Sequence, residues 1–231
     1  LTAKALGVEL LIHYGHSCLV PIDQTCGIKL LYVFVDIKID PLHFIDTVKL
    51  NFETSSRIVL MSTIQFVTTI QTAAAKLRDS GYDVSIPQIR PLSPGEILGC
   101  TAPVLKCAES LIYLGDGQFH LEAAMIANPR TAAYKYDPYS KKFTKEKYAH
   151  KEMELVRKKA IADATESGTF GVIMGTLGRQ GNAKVVEHLR TRLENIGKTT
   201  VVILLSEIFP NKLDLFTRLD AFVQIACPRL S

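Results

Sequence analysis

An internal repeat does most to narrow the fold. Val59-Leu60-Met61-Ser62-Thr63-Ile64 returns as Val172-Ile173-Met174-Gly175-Thr176-Leu177, and each copy runs on through a loop, an amphipathic stretch, a glycine and a second β-rich segment. Each then passes a Glu-Ile pair, Glu96-Ile97 or Glu207-Ile208, before it reaches a cysteine, Cys100 or Cys227. An apolar β-branched run, a helical stretch and another β-rich run make a βαβ pattern, in which the helix joins parallel strands. A chain that carries it twice is built from duplicated α/β modules with mainly parallel sheets.

The same periodicities place the elements. Strands are expected at residues 10–13, 29–37, 57–62, 84–86, 110–114, 132–136, 170–175, 199–205 and 221–225. Helices are expected over 68–80, with Ile70, Ala74 and Leu77 on one face and a stop at Gly81, and over 182–196, with Val185, Val186, Leu189 and Leu193 and a stop at Gly197. Leu11-Ile12-His13-Tyr14-Gly15-His16 parallels Leu111-Ile112-Tyr113-Leu114-Gly115-Asp116, so residues 1–52 read as the back part of an earlier unit. The expected division is 1–52, 53–166 with Cys100, and 167–231 with Cys227. Leu1 is not Met, and residues 2–6 read as helix, so the chain is expected to be a fragment with chemistry upstream of it. The Lys-, Glu- and Arg-rich stretch 144–167 reads as an exposed helical connector.

Composition removes several classes of function. At 47% hydrophobic and 22% charged, the chain can bury sizeable cores. No apolar run approaches the ~18 uncharged residues of a membrane-spanning helix, and residues 1–7 lack the apolar region of a signal peptide, which disfavours membrane and secretory readings. The formal charge of +4 leans toward an acidic or phosphate-bearing partner, but charges of both signs are interspersed, so no direct nucleic-acid binding is predicted. Five cysteines, none in C-x-x-C spacing, support neither a disulfide framework nor a zinc ribbon.

The segments able to carry chemistry lie at strand ends, where parallel α/β sheets bind ligands. Cys100 follows the turn-forming Pro91-Leu92-Ser93-Pro94-Gly95, and Cys227 follows the last strand. Two thiolates at corresponding places in duplicated units suit a soft metal or an iron–sulfur cluster, while ordinary half-buried thiols satisfy the same pattern. Cys18, Cys26 and Cys107 lack the repeat context and read as structural. Gly175-Thr176-Leu177-Gly178-Arg179-Gln180-Gly181 follows a strand and opens a helix, so its amides can cradle an anion with Arg179 as partner, or it is simply a tight turn. Asp116 and His120, in Gly115-Asp116-Gly117-Gln118-Phe119-His120, read as polar pocket residues or as a capped turn. His13 and His16 lack a third ligand and read as loop or pocket residues.

Taken in order, seven segments resemble one family. They are His13-Tyr14-Gly15-His16-Ser17-Cys18, Pro91 to Cys100, Tyr113-Leu114-Gly115-Asp116-Gly117, Tyr136-Asp137-Pro138-Tyr139-Ser140, Gly175 to Gly181, Leu205-Ser206-Glu207-Ile208-Phe209-Pro210, and Ala226-Cys227-Pro228-Arg229-Leu230-Ser231. The family is that of the eukaryotic first subunits of diphthamide synthase. The resemblance implies three related α/β domains with mainly parallel sheets around a central [4Fe-4S] cluster, each domain supplying one cysteine. Cys100 and Cys227 match the second and third ligands. The first would lie upstream of Leu1, and Cys18 is in the wrong motif to replace it.

The resemblance further implies cleavage of S-adenosyl-L-methionine and radical transfer of its 3-amino-3-carboxypropyl group to C2 of a histidine in elongation factor 2, the first step of diphthamide synthesis. Arg229 and Arg179 are then candidates for the methionyl carboxylate, because a guanidinium grips it bidentately. Gly178 and Gln180 belong to the same loop. Gly115, Asp116 and Gly117 are candidates for the ribose or adenine, and His16 and His120 for lining the cavity. The implied partners are the second synthase subunit in a heterodimer, a small iron-binding electron donor and elongation factor 2, in the cytoplasm. Two other readings remain: a non-catalytic scaffold subunit of the same complex, and an α/β transferase binding a phosphorylated ligand at Gly175–Gly181.

Overall fold

The computed structural model describes residues 2–15, 27–99, 101–176 and 181–226, which fall into two compact units split between Tyr148 and Ala149. The fold is α/β with mainly parallel sheets, in keeping with the repeat. In the first unit, a short helix α1 (Thr2–Ala5) leads to a two-stranded parallel sheet of β1 (Leu10–Gly15) and β2 (Lys29–Phe34). The chain continues through α2 (Leu42–Asn51), β3 (Ile58–Ser62), α3 (Val67–Asp79), β4 (Val84–Ser85), β5 (Ser110–Leu114), α4 (Phe119–Ala127), β6 (Ala132–Tyr136) and β7 (Phe143–Glu146). These strands form one sheet in the order β4-β3-β5-β6-β7, parallel except for β7.

That sheet is apolar on both faces because both are covered, as parallel sheets require. Ile58, Leu60, Ile112, Leu114 and Tyr136 pack toward Phe44, Ile45 and Val48 of α2 and Ile70, Ala73, Ala74 and Leu77 of α3. Alternation sends Val59, Met61, Leu111, Tyr113 and Ala133 to the other face, against Leu121, Ala124 and Met125 of α4. Each fully buried Leu, Ile or Phe contributes roughly 1.5–3 kcal/mol, which makes this double layer the main stabilising core. Register aligns Ser62 with Leu114 and Leu114 with Tyr136, so three strands end on one edge.

The second unit holds α5 (His150–Thr165), β8 (Thr169–Gly175), α6 (Ala183–Asn195), β9 (Thr199–Leu205), α7 (Pro210–Leu213) and β10 (Ala221–Ile225). Its parallel sheet runs β10-β8-β9, with Ile173, Ile203 and Ile208 at the centre of a smaller core. Asn182 caps α6, its side chain accepting from the amides of Lys184 and Val185.

Three expectations need correction. The stretch 144–167 is not one helical connector: it opens with β7, an antiparallel edge strand reached through a turn in which Asp137 Oδ1 accepts from the amides of Tyr139 and Ser140. Phe143 stacks on Tyr134 at 5.4 Å while lysines face solvent, a charge pattern that protects an edge and conceals the strand. The exposed helix was foreseen, and α5 buries no residue. The strand expected over 29–37 stops at Phe34, because the Ile37 amide donates to Gln65 O at 2.8 Å and Ile37 joins the core of the larger sheet. The first strand, expected to end at His13, runs on to Gly15, so His13 lies inside it rather than in a loop and meets the Tyr32 ring edge-on at 5.6 Å. Among the described residues no helix is long and apolar enough to cross a membrane.

Candidate functional site

The common strand edge of the first unit carries the described part of the site. Beyond β3, the segment that leads to residue 100 is sewn to the sheet: the Ser62 amide donates to Gly95 O at 2.9 Å and the Ile97 amide to Ser62 O at 3.0 Å. Glu96 is buried, and one carboxylate oxygen accepts from the Ser93 amide at 3.0 Å. Gly95 has φ +84°, and a Cβ there would collide with the Ile70 side chain, so only glycine fits this turn. Leu98 and Thr101 then exchange two backbone hydrogen bonds of 3.3 Å each. After it, Asn128 clamps the returning chain: its Oδ1 accepts from the Leu105 amide at 2.6 Å, and its Nδ2 donates to Pro103 O at 2.8 Å and Ala124 O at 2.9 Å. Cys100 itself lies outside the described residues; its neighbours on both sides are held.

The loop after β5 meets this segment. A Cβ on Gly99 would strike the Phe119 ring, and one on Gly115 would lie 2.5 Å from the Tyr113 hydroxyl, so both glycines let backbone approach an aromatic ring. Lys135 Nζ donates to Asp116 O at 2.7 Å and pins the loop, leaving the Asp116 side chain exposed. His120 belongs to the first turn of α4 rather than to the loop, and its ring lies nearly parallel to Tyr113, 6.4 Å between centroids. The structure thus brings Gly115, Asp116, Gly117 and His120 together beside Gly99.

Four buried polar atoms here, Ser62 Oγ, Thr63 Oγ1, Gln65 Oε1 and Tyr113 OH, make no hydrogen bond among the described residues. Each such atom costs about 1–3 kcal/mol unless something pairs with it. Burial pushes the Tyr113 phenol well above its ordinary pKa and the Asp116 carboxylate adds to this, with nearby Thr63 opposing. The Thr63 hydroxyl does not reach hydrogen-bond geometry with the phenol. Tyr113 is therefore a neutral donor across the physiological range. Sequence reasoning missed Ser62, Thr63, Gln65 and Tyr113. Their signal was polar side chains closing an apolar strand.

In the second unit, Thr176 leaves β8 with its amide donating to Leu205 O at 2.9 Å, and a Cβ on Gly181 would collide with Gly175 O. The glycine-rich segment therefore closes at its neck directly before the Asn182 cap of α6. Ile225 pairs with Met174, so the chain leaves β10 toward residue 227 beside the exit from β8. Gly178, Arg179, Gln180, Cys227, Arg229 and His16 lie outside the described residues, and among the described ones no group of His, Cys, Asp and Glu could hold a metal ion.

The expected equivalence of the two cysteines does not hold in chain order. Residue 100 precedes β5, whereas residue 227 follows β10, the strand that corresponds to β5. Ile225 pairs with Met174 as Tyr113 pairs with Met61, so positions 226 and 227 correspond to Leu114 and Gly115 of the first unit, and the two cysteines occupy different places in the repeat.

The chain matches, over residues 1–231, the family described as "Putative diphthamide synthesis protein". It belongs to that family. Among its relatives, 2-(3-amino-3-carboxypropyl)histidine synthase subunit 1 of Gallus gallus is 57% identical over 231 residues, covering 100% of this chain and 56% of the relative. The protein of the same name from Homo sapiens is 55% identical over 232 residues, covering 100% and 53%. The chain therefore spans about half the length of these curated relatives. The crystal structure of Dph2 from Pyrococcus horikoshii with a 4Fe-4S cluster superposes with a TM-score of 0.75 at 26% identity, covering 99% of this chain and 67% of that one. Within the diphthamide synthesis family, then, the fold is shared with a protein solved with an iron–sulfur cluster.

Proposed function

We propose that this chain is part of the catalytic subunit of a [4Fe-4S], S-adenosyl-L-methionine-dependent 3-amino-3-carboxypropyl transferase that modifies C2 of a histidine in elongation factor 2. The observation that carries this reading is the strand edge of the first unit. The segment bearing Cys100 is anchored there against Gly115–His120, with orphaned polar atoms beside it. A donor set of Cys100 and Cys227 thiolates, completed by a third cysteine elsewhere in the full protein, fits an iron–sulfur cluster in its chemistry. When bound, a reduced cluster supplies the electron that breaks the bond between the sulfonium and the methionine γ-carbon.

The chain's own residues bind and orient. Arg229 and Arg179 grip the methionyl carboxylate, with Gly178 and Gln180 shaping the loop around it. Gly115 and Gly117 admit the nucleoside close to backbone, and Asp116 accepts from the ribose hydroxyls. Tyr113 and Thr63 offer hydroxyls for a bound ligand, and His120 and His16 line the cavity. Three modules with boundaries near residues 52 and 166, a cytoplasmic location, a second synthase subunit as heterodimer partner and a small iron-binding electron donor complete the proposal.

Replacing Cys100 or Cys227 by Ala in the full-length protein tests it. The expected result is loss of the brown chromophore and of bound iron; full iron content in either variant refutes the ligand set. Arg229→Ala is expected to keep the iron and weaken cosubstrate binding in calorimetry, and unchanged affinity rejects that role.

A further inference from the structure

On the opposite side of the five-stranded sheet from Tyr113, under α2 and α3, lies a cavity of about 70 Å³, beside a second of about 160 Å³. Ile39 and Thr69 line both. The floor of the smaller one is apolar, made by Ile39, Phe44 and Leu114, the last residue of β5. Three polar features surround that floor.

Asp40 and Lys141 line the same cavity, yet they form no ion pair with each other, and neither has another ionic partner among the described residues. One Asp40 oxygen accepts from the Leu42 amide at 3.0 Å, leaving the other available. Thr69 is only 6% exposed, and its hydroxyl makes no hydrogen bond among the described residues. Tyr136 OH sits 2.8 Å from His43 Nδ1. Burial, with Asp137 and Asp40 nearby, raises the phenol's pKa, so it keeps its proton. These groups hold one positive charge, one negative charge, an unused hydroxyl and an apolar floor within the reach of one small molecule.

We propose that this cavity binds a free α-amino acid with an unbranched apolar side chain, its ammonium on Asp40, its carboxylate on Lys141 and Thr69, and its side chain against Phe44 and Leu114. Opposite charges that share a cavity without pairing are what a zwitterion satisfies, whereas a simple anion would be repelled by Asp40 and a simple cation by Lys141. At about 70 Å³ the cavity takes the apolar side chain against the buried Phe44 and Leu114, while the charged head stays at its mouth beside the solvent-exposed Asp40 and Lys141; a nucleoside is too large to enter. The site lies on the other face from the proposed cosubstrate site and does not depend on that reading.

The test is calorimetric titration of the full-length protein with L-methionine, 3-(methylthio)propylamine and 4-(methylthio)butanoate. L-methionine is expected to bind at least about tenfold more tightly than either half-molecule, since each charge-assisted contact is worth about that factor. Lys141→Ala should reduce L-methionine to the affinity of the amine, and Asp40→Asn, which keeps the cap at Leu42, to that of the acid. Thr69→Val should weaken binding several-fold. Absence of binding, equal affinity for all three probes, or indifference to both charge-removing variants overturns the proposal. S-adenosyl-L-methionine is expected not to displace L-methionine; displacement would give the cavity to the cosubstrate and also overturn a separate amino-acid site.

Discussion

The repeated β-α-β segments of the two units share a local plan and differ in what covers them. α3 and α6 each span thirteen residues and end on a glycine with positive φ, +86° at Gly81 and +79° at Gly197. Their closing bonds match as well: Gly81 N–H to Arg78 O at 2.8 Å and Tyr82 N–H to Leu77 O at 3.0 Å, against Gly197 N–H to Glu194 O at 2.9 Å and Lys198 N–H to Leu193 O at 3.0 Å. Yet α3 buries Val67, Thr69, Ile70, Ala73, Ala74 and Leu77, whereas α6 buries Val186 alone, and β9 exposes Val201, Val202 and Leu204. Capping and periodicity decide that a helix forms and where it stops. How much free energy it contributes is decided by its cover.

Leu77→Ala and Leu193→Ala, at matching places in the two helices, turn that difference into the largest expected effect. Leu77 is wholly buried, so its truncation should cost about 2–5 kcal/mol. Leu193 is half-buried, so its loss should cost under about 1 kcal/mol. Urea denaturation of the full-length variants, with hydrogen exchange at the amides of each helix, measures both. Equal costs would break the comparison, since they would require a further layer on the outer side of α6.

The common plan was legible because it is local. β-branched runs, helical periodicity and glycine stops place β3, β5, β6, β8, β9 and β10 and the helices α3 and α6 to within a residue or two of where they stand. What escaped depends on neighbours far along the chain. β7 reads as a charged connector because Phe143, stacked on Tyr134, is its one apolar residue. The two cysteines look equivalent because each follows a Glu-Ile pair, but α7 and β10 intervene before residue 227 and nothing comparable precedes residue 100. Of the site, the glycines and strand-end loops were foreseen from their spacing. Tyr113 was hidden inside an apolar run and Asn128 inside a turn, because their roles appear only when β3, the segment after residue 100 and α4 converge.

Gly81→Ala and Gly197→Ala probe the shared half of the comparison. Nothing lies within 4 Å of a Cβ built at either glycine, so any cost is that of holding an L-residue at positive φ, about 1–2 kcal/mol. The two variants should therefore cost the same, although their helices differ so much in burial. A clearly larger loss at Gly81, read from the same denaturation curves, would show that the cap and the packing beneath it are coupled.

The smallest effect distinguishes the units by acid. In the second unit, Asp220 accepts from the Thr169 hydroxyl at 2.7 Å, the Thr169 amide at 2.8 Å and the Gly168 amide at 3.0 Å, tying the entry of β10 to that of β8. The Thr169 hydroxyl, followed by the two amides, stabilises the ionised carboxylate and lowers its pKa. A carboxyl whose folded pKa is depressed stabilises the fold above its unfolded value, about 3.9, and that contribution fades as pH falls through the lower, folded value. Asp220 is fully exposed, so solvent keeps the effect small. Hydrogen exchange at the amides of Gly168 and Thr169 should thus quicken as pH drops below about 4, relative to the amides of β3. Asp220→Asn should abolish that difference, because an amide carries no charge to lose; an unchanged acid response in the variant would move the cause to another carboxylate.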